Sequence, residues 1–227
     1  MYYNLISRGD FGPFGRVFPF FARTHVMNIE KTVNNLTRNG FKAFFVEDEK
    51  EAVQKILSLI PVSESAGFGG SATLTALNVA ELLQARGNRI FHRSLTKGLS
   101  QEEIVRNAAF ADWFLMSSNA VTEEGELVNT DGNGNRVSAS IYGGKNTLVV
   151  AGVNKIVPDL ASAFERIRTV AAPLNARRFN RPTPCTSGGS CKDCPAELTL
   201  CKSTVIQHRP STSKNHYVIL INKNLGF

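Results

Sequence analysis

No apolar run in the 227 residues approaches the roughly 18–20 needed to cross a bilayer, and no heptad or Gly-X-Y period runs through the chain. A membrane-spanning helix, a coiled coil and a collagen-like rod are thereby excluded. A secretory core is also missing, because the best early run, VFPFFA, is short and interrupted by Pro19, so a cytoplasmic address and no membrane partner are expected. There is no G-K-[ST] phosphate loop, no G-x-G-x-x-G fingerprint, no G-x-S-x-G elbow, no EF-hand spacing and no H-x3-H pair. His25, His92, His208 and His216 are scattered and read as surface or edge residues, and the single tryptophan, Trp113, reads as core.

Cysteine is scarce and unevenly placed. All four, Cys185, Cys191, Cys194 and Cys201, fall in one window near the C-terminus. The net charge of +7 is uneven too: +2 over residues 1–26, −1 over 27–172 and +6 over 173–227. The basic quarter lacks aromatics interleaved with its charges, apart from Phe179, so no nucleic-acid partner is expected. With 42% hydrophobic residues the chain can fill a core without disulfides.

Residues 1–26 show no period and read as an N-terminal extension, non-native or flexible, ahead of one domain over 27–227. From Met27 the pattern is regular. Helices are expected over 28–39, after Asp48, over 72–87, after Ser100 and after Pro158. Short apolar runs at 41–46, 65–70, 89–92, 112–117 and 146–152 read as strands. Strands alternating with helices predict an α/β fold, a Rossmann-like open and mostly parallel sheet with helices on both faces. Residues 173–204 form a Cys-rich segment, and 203–208 and 216–222 read as closing strands that can run antiparallel to the rest.

Three stretches carry chemistry. The C-x5-C-x2-C-x6-C spacing puts four thiols within reach of one metal centre, either zinc or a 4Fe-4S cluster, with Arg177, Arg178, Arg181, Lys192 and Lys202 to offset its negative charge. The turn GFGGSATL offers Gly69, Gly70, Ser71 and Thr73 as an anion cradle, or else a tight turn with Ser71 as a helix cap. Between 119 and 137, Glu123, Glu124, Glu126 and Asp131 interleave with Asn119, Asn129, Asn133 and Asn135 before Arg136. Such a loop can hold a substrate or a general base, and EEGE and DGNG also suit plain turns.

GGSATL (69–74), the long stretch 111–143, LVVAGVNKIV (148–157), AAPLNARR (171–178) and the TPC…C-x2-C…C tail together resemble the LUD (lactate utilisation protein) domain family. The similarity runs over about residues 27–227. More distantly the chain is similar to sugar-phosphate isomerases, CoA transferases and initiation-factor-2B-like regulators. The resemblance implies a Rossmann-like sheet whose Gly/Ser loop, here Gly69, Gly70, Ser71 and Thr73, holds a phosphate or carboxylate. GELVN (125–129) resembles a G-D-x-x-N segment that follows a catalytic Asp in several isomerases, and Asn119 stands at that Asp's position. An amide cannot act as the base, which leaves Glu123, Glu126 or Asp131 to supply a carboxylate.

The family resemblance further implies an accessory or subunit of lactate or 2-hydroxy-acid oxidation to pyruvate, an oxidoreductase component working with iron–sulfur redox subunits. It favours a 4Fe-4S cluster over zinc. Glu126, Asp131 and Arg136 are then the catalytic candidates. Gly69, Gly70, Ser71, Thr73, Asn119, Asn129, Asn133, Asn135 and Lys155 are the candidates for holding a small carboxylate or phosphorylated ligand. The competing expectation is a ligand-sensing or assembly module in which structural zinc merely staples the tail; self-association as a homo-oligomer stays open under both.

Overall fold

The computed structural model describes residues 27–188 and 191–227. The extension expected over 1–26, with His25, lies outside the described residues. Asn28 accepts the Lys31 N–H at 2.8 Å and opens α1 (Ile29–Arg38), and β1 (Lys42–Val46) follows. Asp48 caps α2 (Glu49–Leu59) through the Glu51 N–H, while the Glu51 carboxylate reaches back to the Glu47 N–H. Each such cap contributes about 1 kcal/mol. After β2 (Ala66–Phe68) the helix expected over 72–87 is two: α3 (Ala72–Ala76) and α4 (Val79–Ala85). The break falls at Asn78, whose φ of +51° is left-handed and tolerated by a short amide side chain.

β3 (Ile90–Phe91) leads to α5 (Gln101–Ala109), opened by a reciprocal Ser100–Glu103 capping box, and then to β4 (Trp113–Met116). The stretch expected as loop and turns at 119–136 is more ordered. It holds β5 (Ala120–Thr122), the EEGE turn, β6 (Leu127–Asp131) and the start of α6 (Asn135–Tyr142). There follow β7 (Asn146–Gly152), β8 (Ile156–Val157), α7 (Leu160–Arg166), α8 (Ala172–Arg178), α9 (Pro184–Gly188), β9 (Ser203–Gln207) and β10 (Asn215–Ile221).

The main sheet has the order β1-β10-β7-β4-β2-β3, with every pair parallel. Of the two closing strands, only β9 is antiparallel, pairing with β6 in a second sheet of order β8-β5-β6-β9. β10 instead runs parallel in the interior of the main sheet, because both its faces are apolar and both are covered. Ile219 and Ile221 pack with Leu148, Val150, Trp113 and Leu115 under α2, α3 and α4; Val218 and Leu220 pack with Val149, Phe114 and Met116 on the face of α1 and α6. His216 on β10 corrects the surface reading: it is 1% exposed, with Nε2 bonded to the Ser140 carbonyl at 2.7 Å, and burial pushes its pKa down to about 4. His92 is half-buried edge-on against Phe68, and His208 is exposed.

Between α7 and α8 the helix widens into a π-turn over Ile167–Ala171, closed by the Ala172 N–H on the Ile167 carbonyl. Pro173 has no N–H to continue that ladder, so the Arg168 carbonyl would be left without its i+5 donor. The Cys191 N–H fills that place at 3.1 Å, which ties the Cys-rich segment to the helix.

From β2 the chain steps outward to the edge strand β3, and β4 then returns on the inner side of β2. The crevice between the carboxyl ends of β2 and β4 is therefore the topological switch point, where open α/β sheets hold their ligands.

Candidate functional site

The glycine turn leaves β2 at this switch point. A Cβ at Gly67 would lie 2.1 Å from the Ala108 carbonyl, so only glycine lets α5 close on the strand. A Cβ on Gly69 would meet the Arg136 side chain at 3.1 Å, and one on Gly70 would lie 3.6 Å from the Arg178 guanidinium. The Ser71 hydroxyl is a helix cap, accepting the Leu74 N–H at 3.2 Å. Thr73 is fully buried, and its hydroxyl points the other way, to Lys155.

Lys155 follows β7 on a short 3-10 turn and is 2% exposed. Its Nζ donates to the Ser117 Oγ at 2.8 Å and to the Thr73 Oγ1 at 3.1 Å. Burial, together with the neighbouring charges of Arg166 and Arg136, lowers its pKa to about 7. Among the described residues no carboxylate pairs with it.

Arg136 holds the central motif together. Its guanidinium donates to the carbonyls of Ser117 (3.1 Å) and Thr130 (2.9 Å) and to the side-chain oxygens of Asn129 (2.6 Å) and Asn119 (3.1 Å). Asn119 Oδ1 also accepts the Thr130 N–H at 2.8 Å, and Asn129 Oδ1 the Asn119 N–H at 3.1 Å. Asp131 lies 3.9 Å from Arg136, and its carboxylate caps α6 by accepting the Arg136 and Val137 N–H groups. Asn133 is exposed and Asn135 opens α6. Glu126 is at the far end of β6, held by Thr122 at 3.0 Å and His208 at 2.8 Å. Of the three catalytic candidates, Arg136 and Asp131 thus sit at the switch point as scaffold and cap, and Glu126 stands apart.

Two further arginines complete a cationic seat. Arg166 donates to the Asn154 and Asn119 carbonyls, and burial lowers its pKa to about 10. Arg178, expected beside the metal segment, instead reaches the glycine turn. Among the described residues it makes no hydrogen bond or ion pair, and its partners are the rings of Phe179 and Phe227. The chain segment after β10 lies across the seat: the Leu225 carbonyl accepts from Thr73 at 3.3 Å, and Asn154 clasps the backbone of Leu225 and Gly226. Arg166 and this segment belong to no motif, and Ser117, although it falls within 111–143, was not singled out. Their one signal was position: Ser117 directly follows a buried strand, and Arg166 interrupts the apolar stripe of α7.

The four cysteines share a neighbourhood. Burial raises the Cys194 and Cys201 pKa values, and the other thiols raise them further, Cys185 and Cys191 acting on both. Among the described residues, however, no three His, Cys, Asp or Glu side chains are grouped closely enough to hold a metal ion. A crevice of about 20 Å³, room for one water, lies between Asn119 and Thr130 on the seat's side and Leu200 and Cys201 on the other. A roomier depression of about 600 Å³ near Arg89 and Lys97 lies elsewhere on the surface and is lined by no buried ionisable group.

The family model for the LUD domain matches residues 29–221. The chain belongs to the LUD domain family. The LUD match spans both sheets, from α1 to the end of β10. No curated protein matches the sequence. Among solved structures, a DUF162 family protein from Deinococcus radiodurans aligns at 11% identity with a TM-score of 0.49, over 85% of this chain and 95% of that one. No helix among the described residues is long and apolar enough to cross a membrane.

Proposed function

We propose that this LUD-domain protein binds a small carboxylate or phosphorylated ligand in the seat and serves, as accessory or subunit, in the oxidation of lactate or another 2-hydroxy acid to pyruvate. The observation that carries the proposal is the convergence of Lys155, Arg136, Arg166 and Arg178 on the switch-point crevice, where Asp131 is the single carboxylate in ion-pair contact with any of them among the described residues. Lys155 and Arg166 are buried and Arg136 nearly so, and that much unbalanced positive charge is costly unless an anion completes it, while the exposed Arg178 adds a fourth cation at the rim.

Cys185, Cys191, Cys194 and Cys201 would hold a 4Fe-4S cluster, or zinc in the alternative. Four thiolates are the donor set that either group takes, and the burial and neighbouring thiols that raise the Cys194 and Cys201 pKa values oppose a charge that a bound cation would offset; the four would have to draw closer than they stand to hold it. A cluster there would supply a one-electron relay to iron–sulfur partner subunits. This chain's own contribution is to seat the carboxylate, exclude water with the segment 222–227, and keep the thiol segment one crevice away. A reducing cytoplasm suits four unpaired thiols.

A second reading, a ligand-sensing or assembly module with structural zinc, is favoured by Asn119. Its side-chain oxygen is already occupied by Thr130 and Arg136, so it offers no base at the superfamily's acidic position. Metal and sulfide analysis of anaerobically purified protein, with absorption near 400 nm and lactate-dependent dye reduction, separates the two. Iron with sulfide supports the redox role; stoichiometric zinc in a colourless protein that reduces no dye overturns it.

A further inference from the structure

Lys155 differs from an ordinary anion-binding lysine in what surrounds it. An amine meant only to neutralise an anion does so best with its charge intact and open to the ligand. Here Nζ is enclosed, its hydrogen-bond partners are two rotatable hydroxyls, Ser117 Oγ and Thr73 Oγ1, and its charged neighbours are the cations Arg136 of α6 and Arg166 of α7. The enclosure and the two cations favour the neutral amine, which is the nucleophilic form, and the hydroxyls can serve that form too because each can turn to donate as well as accept. The position is also right for a reacting group, at the carboxyl end of β7 beside the switch point. Arg178 stands at the glycine turn with no anionic partner among the described residues, free to take a carboxylate.

Resting on the carboxylate seat proposed above, we propose that Lys155 is a catalytic residue that captures a 2-oxo acid as a Schiff base, with Arg178 holding the acid's carboxylate and the Ser117 hydroxyl relaying protons. The Nζ lone pair adds to the C2 carbonyl carbon, and a proton passes from nitrogen to oxygen through Ser117. The carbinolamine oxygen takes the remaining Nζ proton, again by way of the Ser117 hydroxyl, and leaves as water, and the C=N bond forms in place of C=O. No oxidant or reductant enters this step. The backbone of Leu225 and Gly226 must lift for the acid to enter, because Gly226 lies so near that a Cβ there would sit 3.2 Å from Nζ.

The test is borohydride trapping of the full chain with pyruvate, followed by peptide mass mapping, alongside the pyruvate-dependent shift in melting temperature. The expected result is a reduced three-carbon adduct on Lys155, blocked by excess inorganic phosphate. Its rate should rise to half-maximum near pH 7, where exposed lysines still react slowly. Lys155→Arg should abolish the adduct and keep a melting shift; the wild-type peptide map decides the matter if that variant does not fold. A melting shift with pyruvate but no adduct on Lys155, or label spread evenly over surface lysines, overturns the Schiff base alone. Neither shift nor adduct overturns the carboxylate seat as well.

Discussion

Two lysines are buried at opposite ends of the main sheet, and they are buried for different ends. Lys214, just before β10, donates to the Ala139 carbonyl at 2.7 Å, and His216 bonds the adjacent Ser140 carbonyl. Both carbonyls belong to the last turn of α6, where positive charge is favoured, and that of Ala139 also accepts the Gly143 N–H at 2.9 Å. Lys155, beyond the end of β7, has hydroxyls for partners and cations for neighbours. Burial lowers both lysines, to about 8 and about 7. Depth alone therefore does not mark a site; the kind of partner does. Backbone carbonyls tie Lys214 into the fold, whereas Ser117 and Thr73 leave Lys155 able to exchange partners.

The largest expected effect is at the structural end. His216 titrates at about 4 when folded and 6.5 when unfolded, so below pH 6.5 the unfolded chain binds the extra proton. Stability should fall as pH drops from 6.5 to 4, by on the order of 3 kcal/mol. Denaturant titrations at both pH values measure it, and a flat profile would mean that His216 is not buried as described.

Next, Lys214→Ala takes the side-chain donor from the Ala139 carbonyl, which keeps the Gly143 N–H, and also removes an amine that burial holds at about 8; the two effects oppose, so stability should change by no more than about 1 kcal/mol, with the pyruvate-dependent melting shift unchanged. Lys155→Met should shift both. The unfolded chain keeps this proton up to about pH 10.5 while the folded chain releases it near 7, so the lysine destabilises the fold throughout that window and below it. Removing it should raise stability by about 1–2 kcal/mol at pH 7, net of the two lost hydrogen bonds, and abolish borohydride trapping. Equal losses from the two lysine variants would erase the distinction between them. The smallest stability change is expected for Arg178→Ala, within about 0.5 kcal/mol, together with a roughly tenfold loss of carboxylate affinity by calorimetric titration.

Hydrophobic period made most of the fold legible in the sequence. Residues 113–116 and 146–152 alternate between the two covered faces, and the caps at Asp48 and Ser100 stand at helix starts. What stayed hidden was non-local. The sequence of 216–222 shows that both faces are apolar but not that the strand lies between β1 and β7. His216 looks like any edge histidine until α6 is placed beside it. For the site, the glycine turn and the 119–136 motif announced themselves through unusual composition. Arg166 and Ser117 did not, because their relevance depends on which strand ends the topology brings together.

The π-turn at Ile167–Ala171 works as a phase setting. Arg166 and Arg178 are twelve positions apart, and at about 100° per residue an unbroken α-helix would point them about 120° away from each other. One residue absorbed by the wide turn leaves eleven effective steps, or about 20°, so the two guanidiniums fall on one side of the rod. The same turn, by way of Pro173, exposes the carbonyl on which Cys191 docks. Deleting Thr169 would close the wide turn into plain α-helix with eleven real steps, so the two guanidiniums would stay on one side, and Pro173, then four residues after Arg168, would still leave that carbonyl open to Cys191. The wide turn lets the rod carry one extra residue without turning its two arginines apart.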